Sequence, residues 1–390
     1  MSKFECPVVR IRAIEPIENA DAIEVAVVGD YRSIVRKGQY VAGDLAVYIP
    51  EDSVLLPELI HLIGLTGKLA GKDKNRVKAV KLRGTLSQGI LHKVQHGTIE
   101  VPRYEECDSQ TYTAFGKDVV EGQDVAEILQ ITKYEPILPS SLSGDMYYAG
   151  RHLTVHFDIE NYKKYPDIIA DGEEVVMTEK LHGTFFGIGI LPDHEYDPKH
   201  IFGKYVLFSK GLGAQGLCFK LSEKSEQTAY LKAAEKCGLF DALETAKSLL
   251  EGEETEQGFD RPLYLLGEVF GGSIQDAGWY SNDISFRLFA VVSGYNQPSL
   301  YSYFDYDQVV SLANLIGVET VPILYRGPFS KEVMLQYTTG KETVSGTERN
   351  MREGLVVVPT KERTHPAIGR VALKSVSEEY ITRKNGTEFN

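Results

Sequence analysis

Short runs in which apolar and polar residues alternate, or in which β-branched residues cluster, dominate the first quarter of the chain. Such runs predict half-buried strands, and only 57–65 reads as a short helix. The predicted strands cover 8–14, 23–28, 33–36, 45–49, 77–82 and 89–94. Several short strands arranged around one helix are typical of a small Greek-key barrel of the OB type.

The pattern changes after residue 133. Pro, Ser and Gly crowd 134–150, so we expect a linker over 134–164 between a first domain, 1–133, and a second domain, 165–390. Helical spacing predicts a helix over 222–250, interrupted at Gly238 and capped by Ser222 or Ser225. A second helix is predicted over 306–316, capped by Asp305 and ended by Gly317. With mostly antiparallel strands between them, the second domain is predicted to be α+β.

Composition narrows the class of protein. The 390 residues are 43% hydrophobic and 25% charged, as in soluble globular proteins, and suffice for two domains of ordinary size. The net charge of −13 excludes a uniformly basic nucleic-acid coat protein but not a local basic surface. One such stretch, 67–84, holds seven basic residues and one acid. It predicts phosphate contacts, or alternatively a solvated loop.

Cysteine spacing and the N-terminal sequence bear on location. Cys6, Cys107, Cys218 and Cys237 lie far apart, so a zinc site or a disulfide framework is not expected. The start lacks a signal core, and no run of 18 apolar residues occurs. We therefore expect a cytoplasmic or nuclear protein with no membrane segment.

One segment of the second domain places a reactive amine at the end of a strand. In Thr178-Glu179-Lys180-Leu181-His182-Gly183-Thr184, a lysine follows an apolar strand, and a glycine three residues later leaves room for a ligand. A lysine can act as a covalent nucleophile where burial or neighbouring cations favour loss of its proton. Alone, this spacing is more typical of a surface lysine before a turn.

Two glutamates interrupt apolar strands. Glu268 lies within Leu263-Tyr264-Leu265-Leu266-Gly267-Glu268-Val269-Phe270, and Glu353 precedes Gly354-Leu355-Val356-Val357-Val358. A buried carboxylate is costly unless it is paired or bound to a metal, and two of them suit Mg²⁺. A solvated face or a structural ion pair is the alternative. Alternation predicts that Arg370, Ala372 and Lys374 share one strand face, where two cations could grip a polyphosphate. A polar sheet face is the alternative.

The ordered set Lys180, Glu268, Glu353 and Lys374 resembles the covalent nucleotidyltransferase superfamily of ligases and capping enzymes. The segments Phe208-Ser209-Lys210-Gly211 and Phe286-Arg287-Leu288-Phe289 also resemble family motifs. The sequence of the lysine motif resembles RNA ligases more than DNA ligases, which usually have Asp at the His182 position. With a barrel before the catalytic domain and only 16 residues after Lys374, the chain resembles ATP-dependent RNA ligases of the Deinococcus–Naegleria type.

This resemblance implies a fold, an activity and a site. The fold is an OB-type nucleic-acid-binding barrel followed by a nucleotidyltransferase domain with ATP-grasp-like antiparallel sheets and helices. The activity is ATP-dependent joining of RNA 3′-OH and 5′-phosphate ends through a lysyl-AMP intermediate, with a nicked duplex as one candidate substrate and a monomer as the expected state. The implied catalytic residues are Lys180, Lys374, Glu268 and Glu353, the two glutamates binding Mg²⁺ or Mn²⁺. The implied nucleotide-binding residues are Glu179, Gly183, Ser209, Lys210, Phe289, Val356 and Arg370.

Some details depart from the family, and alternatives remain. Many relatives have two lysines in the last motif, whereas here the first is Ala372, and Ala290 follows Phe289 where Asp is usual. We favour Phe289 over Phe286 as the ring that stacks on adenine. No role follows for His182, for which a packed or hydrogen-bonded histidine is the alternative. A DNA ligase, a capping-type enzyme and a non-catalytic RNA-binding protein are the competing functions.

Overall fold

The computed structural model describes residues 4–103, 113–135, 145–195, 203–220, 225–253, 260–272, 274–275, 279–297 and 300–383. The chain forms two compact units, Ser2–Pro136 and Ile137–Asn390, called here the N-terminal and C-terminal units. In the described ranges no helix is both long and apolar enough to cross a membrane. Cys6, Cys218 and Cys237 are free thiols, and Cys107 lies outside the described residues.

The N-terminal unit is built almost entirely of short strands. Its elements are β1 Val8–Arg10, β2 Ala13–Pro16, β3 Ile23–Val28, β4 Tyr31–Arg36, β5 Leu45–Ile49, β6 Ser53–Val54, α1 Pro57–Leu62, β7 Val80–Leu82, β8 Thr85–Ser87, β9 Ile90–Gln95, β10 Thr98–Pro102, β11 Ala114–Asp118 and β12 Thr132–Lys133. The main sheets have the orders β1-β5-β9-β10-β11 and β2-β3-β4. All six predicted strand regions and the helix are confirmed, but the region 8–14 is divided between β1 and β2.

The interior of this unit explains its aromatic residues. Val47, Ile49, Leu59 and Ile99 are fully buried in its largest core cluster. Tyr40 and Tyr48 belong to a second cluster and are 3% and 6% exposed. These two tyrosines are therefore core residues and not exposed platforms for stacking bases.

The C-terminal unit combines sheets and helices, as predicted. Its elements are β13 Met146–Tyr148, β14 Glu160–Asn161, β15 Glu174–Lys180, β16 Thr184–Ile190, β17 Tyr205–Ser209, α2 Lys210–Gln215, β18 Leu217–Phe219, α3 Ala229–Lys236, α4 Leu239–Glu253, β19 Leu263–Phe270, β20 Ser285–Gly294, β21 Tyr301–Tyr303, α5 Tyr306–Ile316, β22 Ile323–Pro328, α6 Lys331–Thr338, β23 Gly354–Pro359, β24 Thr364–His365, β25 Gly369–Arg370, β26 Leu373–Val376 and α7 Glu378–Ile381.

Two five-stranded sheets form the frame of this unit. One has the order β14-β26-β23-β15-β22 and the other β17-β16-β19-β20-β21. Their pairs are antiparallel except for β14 with β26, which is parallel. The second sheet packs with α3, α4 and α5 around the largest core cluster, in which Phe186, Leu265 and Val291 are fully buried. β15 and β23 of the first sheet, and β16 and β19 of the second, carry the expected site residues to their ends.

The two predicted helices are present with altered ends. Helix α5 begins after the Asp305 capping box and ends at Gly317, as predicted. Within the predicted region 222–250, the described residues form α3 and α4, separated at Gly238, which has φ +63°. Thr228, not Ser225, caps α3, because its side chain accepts a hydrogen bond from Leu231 N at 3.3 Å. Ser222 lies outside the described residues.

The expected linker, 134–164, is shorter in the structure. The two units divide at Pro136, and residues 145–164 belong to the C-terminal unit. There β13 pairs with β18, and β14 pairs with β26, more than two hundred residues away in sequence. The Pro, Ser and Gly content of 134–150 therefore extended the predicted linker too far.

The break at Gly238 gives a test of the helical region. Gly238→Ala would force an L-residue into the left-handed conformation, which costs about 1–2 kcal/mol, although nothing lies within 4 Å of the added methyl group. We expect thermal unfolding to occur a few degrees lower. Gly238→Asn is the matched control, because asparagine tolerates this conformation and should lose less. Equal losses in both variants would contradict the conformational explanation.

Candidate active site

Lys180 lies at the exposed end of a strand whose other residues are buried. Val175, Val176 and Met177 of β15 are fully buried and fix the strand in the first sheet. Thr178 lies opposite Val356 of β23, and Val356 lies opposite Lys374 of β26. Directly paired residues share a sheet face, as do residues two apart. Lys180, Val356 and Lys374 therefore lie on the same face.

Glu353 forms an ion pair with Lys180. The Lys180 ammonium contacts Glu353 Oε1, with 22% and 12% of the two side chains exposed. Gly354, opposite Lys180, explains how Glu353 reaches this position. A Cβ at Gly354 would lie far inside contact distance of Ser375 O, so any larger residue would push β23 away from β26. The glycine after the glutamate is thus required by close backbone packing.

Glu268 approaches the same lysine from the second sheet. It is the only residue of β19 that is not fully buried. A Cβ at Gly183 would collide with Val269 O and lie 2.8 Å from Glu268 Cγ. The glycine three residues after Lys180 therefore lets the β15–β16 turn lie against Glu268. This close packing explains why the lysine motif has a glycine at this position.

The charges around Glu268 set its proton affinity. Burial raises the pKa of the Glu268 carboxyl to about 8, since it disfavours the charged form. The Lys180 ammonium lowers this pKa, whereas the Glu353 carboxylate raises it. A carboxylate that is destabilised by burial and lies beside a second carboxylate is a ready ligand for an added cation.

Three lysines lie within electrostatic reach of one another. Burial lowers the pKa of Lys374, and the ammonium groups of Lys210 and Lys180 lower it further. Asp158 and Glu353 act in the opposite direction. Lys210, the first residue of α2, donates to Asp158 Oδ1 at 2.8 Å. A cluster of this composition offers positive charge to a polyphosphate.

Aromatic rings line the second sheet beside these charges. Phe289 lies at an irregularity of β20 and contacts the Phe157 ring, with centroids 4.9 Å apart. Phe157 stacks on Phe185, which lies directly opposite Glu268. Phe286 is 2% exposed and packs against Phe186 in the core. Of the two candidate rings, the structure brings Phe289 beside the charged residues and buries Phe286 elsewhere.

Two other expected nucleotide-binding side chains are not brought to this face. Glu179 is 1% exposed and lies on the opposite face, where its Oε2 accepts from Thr343 N at 2.9 Å and from Thr343 Oγ1 at 2.6 Å. Arg370 Nε donates to Glu362 at 3.0 Å, and its guanidinium lies over the Tyr303 ring. Both groups are therefore committed to contacts elsewhere. Ser209 ends β17 directly before Lys210.

The expected shared face of Arg370 and Lys374 is also corrected. Ala372 N donates to Arg370 O at 3.1 Å, a tight turn that separates β25 from β26. Alternation therefore does not continue from Arg370 to Lys374, and only Lys374 belongs to the ladder with β23. A sequence window of this length does not distinguish one strand from two strands joined by a turn.

His182 is a packed residue with a hydrogen bond. It is 3% exposed, its Nδ1 lies 2.6 Å from Tyr380 Oη, and its N donates to Tyr280 Oη at 2.7 Å. Trp279 packs against its ring edge to face. These contacts fix the turn that follows Lys180, so the packed alternative considered for His182 is confirmed.

The sequence reasoning missed Phe157 and Asp158. Both fall in 134–164, which was expected to be a linker. One signal was available, because Leu153, Val155, Phe157 and Ile159 alternate with polar residues over 153–159. The Pro- and Ser-rich stretch before them concealed this alternation.

The two glutamates have the chemistry of ligands for a divalent cation. Glu268 and Glu353 come from different sheets, both neighbour Lys180, and offer the oxygen ligands that Mg²⁺ and Mn²⁺ accept. Within the described part of the chain, no cluster of three or more His, Cys, Asp or Glu side chains is arranged to hold a metal ion.

Comparisons with known proteins agree with this arrangement. Residues 173–376 match the RNA ligase family, and residues 6–94 match an OB-fold domain. No curated protein matches the chain. The fold is similar to solved structures of Naegleria gruberi RNA ligase. These include a lysine-to-alanine mutant with ATP and Mn, at TM-score 0.68 and 23% identity over 97% of this chain and 98% of that one.

Two further structures of that ligase give similar values. A glutamate-to-alanine mutant with ATP and Mn has TM-score 0.67, and the ligase with PPi has TM-score 0.66. Both are 23% identical and cover 97% of this chain and 98% of the other. Together with the OB-fold match, this likeness confirms the predicted α+β class, with an OB-type barrel before a nucleotidyltransferase fold.

The raised pKa of Glu268 predicts a pH dependence of stability. Above the ordinary glutamate value of 4.5 the unfolded chain has lost this proton, whereas the folded protein keeps it up to about pH 8. The folded state thus binds more protons in this window, and its stability falls as the pH rises. We expect wild type to lose stability relative to Glu268→Gln between pH 5 and pH 8. Thermal unfolding without divalent cations measures this difference, and parallel curves would contradict the assignment.

Proposed function

Since this chain belongs to the RNA ligase family, we propose that it is an ATP-dependent ligase that joins RNA 3′-OH and 5′-phosphate ends through a lysyl-AMP intermediate. The observation that carries the proposal is the convergence of Lys180, Glu353, Glu268 and Lys374 at one point between two sheets. The ligase structures similar in fold contain ATP, Mn or PPi, which supports these ligands for the present chain.

In the first step Lys180 attacks ATP. Its Nζ loses a proton and forms a bond to the α-phosphorus, while the bond to the bridging oxygen breaks and pyrophosphate leaves. Glu353 orients the amine through their ion pair. Lys374 lies on the same sheet face, so its ammonium faces the negative charge that builds on the α-phosphate.

The nucleotide lies between the two sheets in this proposal. The adenine stacks on Phe289, and Lys210 and Lys374 hold phosphate oxygens. Glu268 and Glu353 hold Mg²⁺ or Mn²⁺, which when bound neutralises charge on the phosphates. Val356 and Gly183 leave room for the nucleotide beside Lys180, since neither residue brings a polar or bulky side chain there.

Two further steps complete the joining reaction. An oxygen of the RNA 5′-phosphate attacks the phosphorus of lysyl-AMP, and the bond to Lys180 Nζ breaks, leaving an RNA–adenylate anhydride. The neighbouring 3′-OH then attacks the RNA phosphorus, loses its proton and expels AMP. Lys374 stabilises negative charge on the AMP phosphate, which is attacked in the first two steps and leaves in the third.

The N-terminal unit holds the RNA backbone in this scheme. Lys68, Lys72, Lys74, Lys81 and Arg83 are exposed, and the last two belong to the β7–β8 hairpin and its turn. Arg76 is instead paired with Asp52 and lies over the Tyr134 ring. Exposed cations favour contact with phosphates over reading of bases. We expect the protein to act as a monomer in the cytoplasm or nucleus, on nicked RNA among other ends.

The first test is formation of the covalent adduct. Wild type incubated with ATP and Mg²⁺ should gain the mass of one AMP, because the Lys180 amine is the nucleophile. Lys180→Ala should gain none. Lys361→Ala is the matched control, because it removes an exposed lysine whose partner is Asp305 and should leave the adduct unchanged. Intact-protein mass spectrometry, after pyrophosphate has removed any AMP already bound, makes the measurement.

The same assay separates the competing functions. An adduct with GTP instead of ATP would favour a capping-type enzyme, and sealing of DNA but not RNA nicks would favour a DNA ligase. Absence of any adduct in a folded wild type would refute the proposed activity and leave a non-catalytic RNA-binding protein.

The basic surface gives an independent prediction. Replacing Lys72, Lys74, Lys81 and Arg83 together by glutamine should weaken sealing of nicked RNA, because phosphate contacts are lost. The yield of lysyl-AMP should stay unchanged, since Lys180 lies in the other unit. Gel-based sealing at increasing salt measures the first effect, and intact-protein mass spectrometry measures the yield of lysyl-AMP. Sealing by wild type should depend on salt more steeply than sealing by the variant. Equal sealing by both proteins would refute this role of the surface.

A further inference from the structure

The segment before β14 contacts two side chains, Phe289 and Lys210, that the proposed function assigns to ATP. Phe157 stacks on Phe185 at 5.2 Å and 14°, and contacts Phe289 at 4.9 Å. The next residue, Asp158, accepts a hydrogen bond from Lys210 at 2.8 Å. The Phe157 ring thus corresponds to the base of ATP, and the Asp158 carboxylate corresponds to its phosphates.

We propose that Phe157 and Asp158 occupy the base and phosphate contacts of the ATP site in the nucleotide-free protein and leave them when ATP binds. This inference rests on the proposed function, because that function places adenine on Phe289 and phosphates on Lys210. The segment thereby sets the affinity for ATP, since each contact made by ATP replaces an internal one.

Ring packing requires such an exchange on the base side. Rings at 4.9 Å are in direct contact, so no second ring fits between Phe157 and Phe289. Phe289 also packs against a buried cluster formed by Leu181, Phe270, Tyr280 and Val321. Phe157 is only half-buried. A base stacking on Phe289 would therefore displace Phe157 at lower cost than any of its other neighbours.

Charge leads to the same conclusion on the phosphate side. Asp158 lies close enough to both Lys210 and Lys374 to act on them electrostatically. A phosphate held by these lysines would be repelled by a carboxylate that stayed between them. Lys210 is 53% exposed at its side chain, so it can turn from Asp158 to a ligand without disturbing the core.

The backbone on either side confines the movement to a few residues. Thr154 is fixed by its hydroxyl, which donates to Gly213 O at 2.8 Å, and by its carbonyl, which accepts from Asn296 Nδ2 at 2.8 Å. Asn161 is fixed opposite Lys374 in the sheet. Between these anchors, residues 156–159 are all half-buried and outside any ladder. They can shift while β14 and the core stay in place.

Half-ligands test the two contacts separately in the full-length protein. Adenosine presents only the base and ribose, and pyrophosphate presents only phosphates. Phe157→Ala should bind adenosine about two- to tenfold more tightly than wild type, with pyrophosphate binding unchanged. Asp158→Asn should bind pyrophosphate about two- to fivefold more tightly, with adenosine binding unchanged. Calorimetry without divalent cations measures both affinities.

Matched controls come from the same unit. Tyr148→Ala removes an aromatic ring that is 65% exposed, and Asp307→Asn breaks an ion pair with Arg326; neither should change either affinity. Phe157→Leu keeps apolar packing while removing the ring, which guards against a folding defect in the alanine variant. Thermal unfolding checks all variants.

Opposite results overturn the proposal. Weaker or unchanged adenosine binding in both Phe157 variants would show that this ring is not displaced by the base. Weaker or unchanged pyrophosphate binding in Asp158→Asn would exclude the exchange at Lys210. If the affinities shift as expected but wild type forms no lysyl-AMP, the proposed ligase activity fails and the exchange of contacts stands.

Discussion

The approach of β23 to β26 at Gly354 is the constraint on which the site depends. Because no Cβ separates Gly354 from Ser375 O, the two strands hold Glu353 at the end of β15, where it meets Lys180. The same approach keeps Lys374 in register with Val356 and on the lysine's face. The turn at Gly183 likewise packs closely against β19 and so lies beside Glu268. Backbone contacts at two glycines thus bring together groups from two sheets.

Two of the three lysines at this point are paired with carboxylates in the absence of ligand. Lys180 is paired with Glu353, Lys210 with Asp158, and Glu268 lies buried beside them with a raised pKa. Such a site resists binding a lone anion, since Lys180 and Lys210 already have partners. It favours a ligand that brings an anion and a cation together, which is the form in which nucleotide triphosphates bind with a divalent metal.

The sequence was most informative where local chemistry decides structure. Helix α5 could be predicted with both of its ends, because its cap and its terminal glycine are local signals. The four residues that meet at the site could be chosen because their order along the chain resembles a known family. The roles of Phe157 and Asp158 could not be predicted from the sequence, since their partners lie in distant parts of the chain. Arg370 was misplaced for a similar reason, as its partner Glu362 and the turn before β26 are tertiary features.

The parallel pair β14–β26 has a consequence for how the C-terminal unit is made. β14 comes near the beginning of this unit and β26 near its end, yet they are neighbours in one sheet. During synthesis, β14 therefore waits for its partner until more than two hundred residues have been added. Lys374 arrives with β26, so a ribosome-bound chain that already contains Lys180 has an incomplete phosphate site. The phosphate site is therefore completed late in folding, when β26 inserts between β14 and β23.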